Sequence, residues 1–284
     1  MNTQTPTIKN QNNLKILIHA SSVYFGQCLQ TVLLYRSALA IFIVSEAFAY
    51  AGFITFWYKA AQSNPDQKIY TPMGLVLYFA LAMFHHSIQH HAASRDLGSD
   101  IRLGKLSYAI IRPYPYMLQA VLRSVACTLA YIILLSPLLI SALILLPSLQ
   151  QEFMSHISST SLAHYLAALA LGLACGWLVR LVVGMLAFDM AQIWGPDTFF
   201  IALYYAASGA VFPIDLLPSW ALTIAKWTPM YYMVGFPVLT ITDRIPQEIF
   251  WSECTRGFLV LACVFILMMT MWRRGIKRFE AIGI

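Results

Sequence analysis

Charged residues are scarce in this chain, and three common catalytic motifs are missing from it. Asp, Glu, Lys and Arg make up only 11% of the 284 residues, whereas a soluble domain usually carries about 25%. The sequence has no Gly-x-x-x-x-Gly-Lys-Ser/Thr phosphate loop, no His-Glu-x-x-His zinc motif and no Gly-x-Ser-x-Gly nucleophile motif. These absences exclude nucleotide hydrolysis through a phosphate loop and weigh against a conventional hydrolase.

The five cysteines do not form the paired framework of a small secreted domain. Three of them, Cys127, Cys175 and Cys263, fall within apolar runs. We expect no cleaved signal peptide, because residues 1–13 are polar and no cleavage site follows the first apolar run.

Apolar residues dominate the composition. Hydrophobic residues make up 59% of the chain, and the mean hydropathy is +0.67. This excess is too large for a soluble core, and the long runs differ from the short alternating strands of a barrel. The sequence therefore predicts an all-α polytopic membrane protein, formed as one domain over 1–284. The net charge of +6 does not predict a nucleic-acid partner, because the basic residues cluster beside the apolar runs as orienting charges do.

Six apolar runs predict six transmembrane spans: 38–58, 73–90, 118–146, 162–183, 199–211 and 258–272. A bilayer core needs about 20 helical residues, so the fifth run is too short to cross cleanly alone. The proline-broken apolar segment after it predicts an outer re-entrant hairpin, 213–232, before span six. Residues 14–36 are amphipathic and predict an interfacial helix, the alternative being the beginning of the first span.

Lysine and arginine set the expected orientation. With the N-terminus inside, 13 of the 18 basic residues fall on the inner side and 5 on the outer side. We therefore expect both termini in the cytoplasm, in the inner membrane of a bacterium.

The most informative segment is the basic, glycine-punctuated loop 94–106 between spans two and three. It lies in a cytoplasmic region, 93–116, that is longer than an inner connection needs to be. Leu97, Ile101 and Gly104 share one helix face better than Ile101 and Leu103 do. The pattern predicts an amphipathic docking surface for a cytoplasmic partner.

A carboxylate, Glu46, falls near the middle of span one beside Ser45. Such a group costs roughly 2.5–3.5 kcal/mol on insertion scales, so it should face protein or a water-filled path. A pathway residue and a structural hydrogen bond to another span are both open interpretations. Tyr204, Tyr205 and Ser208 of span five likewise fit either substrate contacts or interface anchors.

A histidine cluster at the inner end of span two, 85–91, is the sharpest enzyme-like feature. His86 and His90 are four residues apart, share a helix face and could bind a metal. This gives an alternative hypothesis, a membrane-embedded metal-dependent enzyme that uses His85 to His91. The other interpretation is a polar span end that lines a cytoplasmic vestibule.

Span four carries a Gly-x-x-x-Gly pattern at Gly172 and Gly176. Glycines at this spacing let two helices approach closely. We expect that approach within the subunit rather than at a dimer seam.

Two motifs and their order resemble a known family. The inner loop reads DIRLGKL at 100–106, followed by IRP at 111–113. Late in the chain come SGAVFPIDLLPSW at 208–220 and WTPMYY at 227–232. Over nearly its whole length the chain resembles the permease subunits of ATP-binding-cassette exporters of the second type.

The resemblance implies a non-catalytic permease subunit that moves an amphipathic or hydrophobic substrate, such as a drug, peptide, lipid or glycan, out of the cytoplasm. It implies separate soluble ATPase subunits that bind ATP and Mg²⁺, so this chain itself would hold no cofactor. It also implies a second permease subunit, either a copy or a paralogue, and contact with membrane lipids.

The resemblance further assigns three sets of site residues. Coupling to the ATPase would use Leu97, Ile101, Arg102, Gly104 and Lys105. The substrate pathway would use Ser45, Glu46, Tyr204, Tyr205 and Ser208. The outer gate would use Phe212, Pro213, Leu217, Pro218 and Trp220. Within the coupling set, Ile101 is the predicted apolar anchor in an ATPase groove, and Arg102 is a rim charge.

Overall fold

The computed structural model describes residues 7–34, 36–63, 70–89, 93–111, 115–157 and 159–279. Within these ranges the chain forms helices and contains no β-strand. The α-helices are α1 Thr7–Leu34, α2 Arg36–Ser63, α3 Pro72–Ile88, α4 Ala93–Arg102, α5 Leu106–Ile110, α6 Tyr116–Leu145, α7 Pro147–His156, α8 Ser159–Met185, α9 Trp194–Ala207, α10 Ser219–Lys226, α11 Pro229–Met233, α12 Gly235–Ile241 and α13 Gln247–Arg278. Single 3₁₀ turns cover Leu186–Phe188 and Ile214–Leu216.

Four described helices are long and apolar enough to cross a membrane. They are Ala40–Ser63, Tyr116–Leu145, Thr160–Phe188 and Gln247–Arg278. These segments of α2, α6, α8 and α13 correspond to predicted spans one, three, four and six. The prediction of an all-α multi-pass membrane protein is confirmed.

The other two predicted spans correspond to shorter helices. At span two, α3 has 17 residues, and at span five, α9 has 14 residues. At about 1.5 Å rise per residue α9 is about 21 Å long, less than the roughly 30 Å of a hydrocarbon core. The count of six crossings therefore stays a prediction.

The packing centre of the protein is α8, which contacts α13, α4, α11 and α12. Two glycines of α8 allow neighbouring segments to approach the helix closely. A Cβ at Gly172 would collide with the backbone of Tyr232, and one at Gly176 would collide with the side chain of Gln89. The Gly-x-x-x-Gly pattern therefore packs within the subunit, as predicted.

The chain after α9 is broken into short helices that are sheltered by protein. Every residue from Met230 to Ile241 is buried, and the fully buried aromatic rings of Tyr78, Tyr231 and Phe236 lie in the largest hydrophobic cluster. Irregular backbone at membrane depth is tolerated only under such cover. The re-entrant course predicted for 213–232 agrees with this burial but stays a prediction.

A second hydrophobic cluster attaches α4 to the core. Leu97 and Ile101 of α4 pack in it with Leu181 of α8 and Met268 of α13. The helix ends at Arg102, and Gly104 takes a φ of +68°, a conformation that glycine adopts without a Cβ penalty. The glycine punctuation of the loop therefore marks the turn between α4 and α5.

The predicted interfacial segment 14–36 lies largely within α1. This helix packs along α6, and Arg123 of α6 donates to the Tyr24 hydroxyl at 3.2 Å. Its position at the membrane surface stays a prediction.

Candidate functional site

A polar group joins α2, α3 and α9 in the interior of the helix bundle. His86 of α3 places its Nε2 3.4 Å from Glu46 Oε2, and its Nδ1 lies 3.0 Å from the Tyr204 hydroxyl. His86 is 5% exposed, and the Glu46 side chain is 19% exposed. Glu46 thus has the polar partner that a carboxylate in a membrane span requires.

Three tyrosines surround the His86 ring. The ring centroids of Tyr204 and Tyr205 lie 5.4 and 5.6 Å from it, and that of Tyr50 lies 6.2 Å away. Tyr204 is buried, whereas Tyr205 is 36% exposed. The arrangement is an amphipathic surface, with a charge, hydroxyls and aromatic rings side by side.

The structure brings together three of the five residues that we assigned to the pathway. Glu46, Tyr204 and Tyr205 meet around His86. Ser45 is exposed, and its hydroxyl donates to the Phe42 carbonyl of its own helix at 2.8 Å. Ser208 is fully buried beyond the end of α9, where its Oγ accepts from the Ala210 amide at 3.2 Å.

The histidine cluster splits between two directions. His86 faces α2 and α9, whereas His85 packs edge-on against Tyr165 of α8 with ring centroids 5.6 Å apart. His90 and His91 lie outside the described residues. Among the residues that are described, no group of three or more His, Cys, Asp or Glu side chains could hold a metal. The metal-enzyme alternative therefore gains no support, and the histidine that the sequence left unexplained is the partner of Glu46.

The α4 face that was predicted to be the docking ridge is buried within this chain, and its role in coupling stays a prediction. Leu97 is 1% exposed and Ile101 is 5% exposed, because both pack against this chain's own α8 and α13. Ile101 therefore does not present an apolar anchor to a partner in this structure. The exposed apolar side chains of this segment are Leu103 at 53%, Tyr108 at 73%, Ile110 at 47% and Ile111 at 81%. Arg102 and Lys105 are also exposed.

The beginning of α4 is tied to the beginning of α9. The carboxylate of Asp197, 3% exposed, accepts from the Ser94 hydroxyl at 2.8 Å and from Arg95 Nε at 3.0 Å. Arg102 donates to the side chain of Gln192 at 2.8 Å. The segment predicted to couple is thus bonded to the same helix that carries Tyr204.

The other side of α4 is tied to α6 by acidic residues. Asp96 lies 3.2 Å from Arg123, and Asp100 accepts from the Tyr116 hydroxyl at 2.8 Å. Burial raises the pKa of the Asp96 carboxyl, although Arg123 acts to lower it. These contacts hold α4 in one orientation across two helices.

At the opposite end of the bundle, side chains fix the backbone after α9. The Tyr78 hydroxyl donates to the Gly209 carbonyl at 2.8 Å and accepts from the Ile214 amide at 3.3 Å. Asp215 accepts from the Tyr70 hydroxyl at 2.7 Å and pairs with Arg244 at 3.0 Å.

The predicted gate residues are divided between core and surface. Phe212 and Leu217 are partly buried against the main cluster, and Pro213 is buried. Pro218 and Trp220 are exposed, with Trp220 at 68%. The first part of this segment, at Phe212 and Pro213, is therefore packed against the core, whereas the part at Pro218 and Trp220 is exposed.

Sequence reasoning missed several of these residues. The need of a mid-span carboxylate for a partner could have indicated His86, since polar groups in spans pair with one another. Asp197 has a weaker signal, an acidic residue in the first turn of a helix. Nothing local indicates that Asp215 and Arg244 pair, because 29 residues separate them.

The model of a family described as ABC-2 family transporter protein matches residues 47–283. No curated protein matches the chain. The match begins within α2, one residue after Glu46, and covers α3 to α13. It therefore includes His86, Tyr204 and Tyr205, the α4–α5 segment, and the segment after α9 that Tyr78 and Arg244 anchor.

Proposed function

Because this chain belongs to the ABC-2 family of transporter membrane proteins, we propose that it is the permease subunit of an exporter driven by separate ATPase subunits. It is a multi-pass membrane protein whose family consists generally of non-catalytic transport components. The observation that carries the proposal is the α4–α5 segment. Its buried face packs against α8 and α13, and its other side is an exposed amphipathic edge. ATP and Mg²⁺ would bind to the partner, and this chain would hold no cofactor.

The exposed edge of α4–α5 is the proposed ATPase-docking surface. It consists of Leu103, Tyr108, Ile110 and Ile111, with Arg102 and Lys105 beside them. The four apolar side chains are between 47% and 81% exposed. Apolar anchors usually dominate the energy of an interface, whereas rim charges mainly steer association. Leu97, Ile101 and Gly104 contribute indirectly, since they position this edge.

A charge at the exposed edge tests the proposal. Leu103→Asp should reduce copurification of the ATPase and its stimulation by this chain, because an apolar anchor is often worth about 2 kcal/mol or more at an interface. Insertion and the unfolding midpoint of the permease should stay near wild type, since Leu103 is exposed.

The matched control is Met154→Asp on α7. Met154 is 58% exposed and lies beyond the other end of α6, a helix of 30 residues that is about 45 Å long. If Leu103→Asp and Met154→Asp leave ATPase association equally intact, α4–α5 is not the coupling segment and the proposal fails.

The proposed substrate pathway runs past Glu46, His86, Tyr204 and Tyr205. An amphipathic substrate could contact aromatic rings, hydroxyls and a charge at this position. Ser45 and Ser208 lie at its margins. The proposed outer gate is the anchored segment with Phe212, Pro213, Leu217, Pro218 and Trp220, whose open edge could move while Tyr78 holds its base.

The proposed topology has six spans, an interfacial α1, a re-entrant outer segment and both termini in the cytoplasm of a bacterial inner membrane. It rests on the distribution of basic residues. In a background without native cysteines, a membrane-impermeant thiol reagent added outside should label a cysteine at Ser155 and not one at Ser99. Labelling of Ser99 from outside would reverse the orientation and remove α4–α5 from the ATPase.

A second permease subunit would cover α2. Its Ile41, Val44, Phe48 and Phe56 are between 65% and 84% exposed, and the polar group around His86 lies beside this helix. Because lipid can also cover apolar surface, the test must detect the second subunit directly. A cysteine at Phe48 should form a crosslink between two copies in membranes if the pair is homodimeric, whereas a heterodimer would require the paralogue.

A further inference from the structure

An arginine on α8 lies inside a candidate membrane span with no hydrogen-bond or ion-pair partner among the described residues. Arg180 is eight residues before Phe188, where the span ends, which corresponds to about 12 Å of helix. Its Nε is buried and has no hydrogen-bond partner. Within the described residues its guanidinium has no carboxylate within 4.0 Å, and it lies against the Phe200 ring, whose centroid is 5.6 Å from Cζ.

The acidic residues nearby are already occupied. Asp197 interacts with Arg180 electrostatically, but its two oxygens accept from Ser94 and Arg95. Glu46 is paired with His86 at 3.4 Å. An arginine left uncompensated in a membrane span is costly, and such residues face a substrate or ion pathway.

Two further donors without acceptors lie around Tyr204. The Tyr50 hydroxyl is buried and has no hydrogen-bond partner, and no hydrogen bond of the Tyr205 hydroxyl occurs within the described residues. The Tyr205 ring lies 5.6 Å from that of Tyr204, and the rings of Tyr50 and Tyr204 both lie beside His86. Phe200, which Arg180 contacts, lies 6.4 Å from Tyr204. Buried donors in native proteins are nearly always paired, so the unpaired Arg180 Nε and Tyr50 hydroxyl indicate a missing acceptor. The Tyr205 hydroxyl, on an exposed side chain, could donate to the same acceptor.

We propose that Arg180 binds the anionic group of the transported substrate, a phosphate or a carboxylate, with the Tyr50 and Tyr205 hydroxyls as additional donors. The guanidinium presents a planar fork of donors that matches both anions. The inference rests on the proposed permease function and adds the charge class of the substrate. It makes the substrate an anionic amphiphile whose apolar part contacts the aromatic rings.

The test uses the purified complex in neutral maltoside micelles and three probes that share a ten-carbon chain: decyl phosphate, decanoate and decyltrimethylammonium. Decyl phosphate or decanoate should raise the unfolding midpoint of the wild-type permease, and the cation should not. Arg180→Gln should weaken the apparent affinity for the anionic probe by about 10- to 100-fold, since hydrogen bonds to charged groups are among the stronger ones. An unchanged response in Arg180→Gln would overturn the proposal.

A structural role for Arg180 makes a different prediction for the unliganded protein. Removing an uncompensated charge should leave the unfolding midpoint of Arg180→Gln unchanged or raised, because no ion pair is broken. Arg123→Gln is the matched control, because Arg123 pairs with Asp96, and its midpoint should fall. If Arg180→Gln falls as far as Arg123→Gln, Arg180 is a structural residue and the proposal is wrong.

Membrane lipid is the other possible source of the anion. In nanodiscs of neutral phosphatidylcholine, adding dioleoyl phosphatidylglycerol should not reproduce the shift caused by decyl phosphate. An equal shift would assign the site to a lipid headgroup and overturn its assignment to substrate. ATPase copurification with Arg180→Gln should remain at the wild-type level, which separates failure of this inference from failure of the permease proposal.

Discussion

The two bonds to Asp197 allow a direct comparison of burial with charge. Ser94 and Arg95 are neighbours on α4 and donate to the same carboxylate at 2.8 and 3.0 Å. Ser94 is 1% exposed, whereas the Arg95 side chain is 64% exposed. Counting charges would assign the larger stabilisation to Arg95. We predict the reverse.

The typical free energies of such contacts set the expected cost of each substitution. A hydrogen bond to a charged group contributes about 1.5–3 kcal/mol, and the higher helix propensity of alanine offsets roughly 0.5 kcal/mol of its loss. Ser94→Ala should therefore lower the free energy of unfolding by about 1–2.5 kcal/mol. Solvent reaches the Arg95 end of its ion pair, although Asp197 is buried. Ion pairs open to solvent contribute about 0–1 kcal/mol, so Arg95→Ala should cost less.

The assay is denaturant unfolding of the purified chain in neutral micelles, with Asp197→Ala combined with each variant in a double-mutant cycle. The Ser94–Asp197 coupling energy should exceed the Arg95–Asp197 coupling energy. The Arg95 contribution should also shrink at high salt, because exposed charges are screened. A larger cost for Arg95→Ala than for Ser94→Ala would refute the reasoning.

Three further predictions follow from other contacts. Gly172→Ala should lower the unfolding midpoint, because its Cβ would meet the Tyr232 backbone and overpacking costs about 1–3 kcal/mol; Gly26→Ala, with nothing within 4 Å, should not. Burial raises the Asp96 pKa, so the folded state favours the neutral carboxyl. The neutral carboxyl therefore contributes to the stability of the fold at low pH, and this stability is lost as pH rises through the folded-state pKa. The midpoint of wild type minus that of Asp96→Asn should therefore fall with rising pH, and a constant or rising difference would contradict this. Glu46→Gln should change substrate-stimulated ATP hydrolysis while expression stays near wild type, whereas equal loss of folded protein and activity would favour a purely structural role.

Local sequence properties predicted the membrane class and the main helices. Hydropathy and helix length act over about 20 neighbouring residues, so α2, α6, α8 and α13 could be read from composition alone. The turn at Gly104 is equally local, since glycine takes a positive φ without a steric penalty. The Gly-x-x-x-Gly spacing of Gly172 and Gly176 predicted a close approach, but not which segment makes it.

Which neighbour each face of a helix packs against could not be predicted from the local sequence. The sequence predicted that Leu97 and Ile101 share one side of α4, and this is correct. It could not predict that this side faces α8 and α13, because the amphipathic pattern is the same whether the partner is another chain or the chain's own core. The exposed edge at Leu103 and Tyr108 became evident only once the opposite face was buried.

The sequence by itself determined that this is a helical membrane protein with a basic segment between two apolar runs and a carboxylate in its first apolar run, because each of these is set by neighbouring residues. Only the tertiary structure decided that Glu46 meets His86, that Asp197 holds α4, and that no carboxylate of the described residues lies within ion-pair distance of Arg180. Each of these facts depends on helices distant in sequence, and pairing in a low-dielectric interior is decided by distances of a few ångströms that no spacing within one helix fixes.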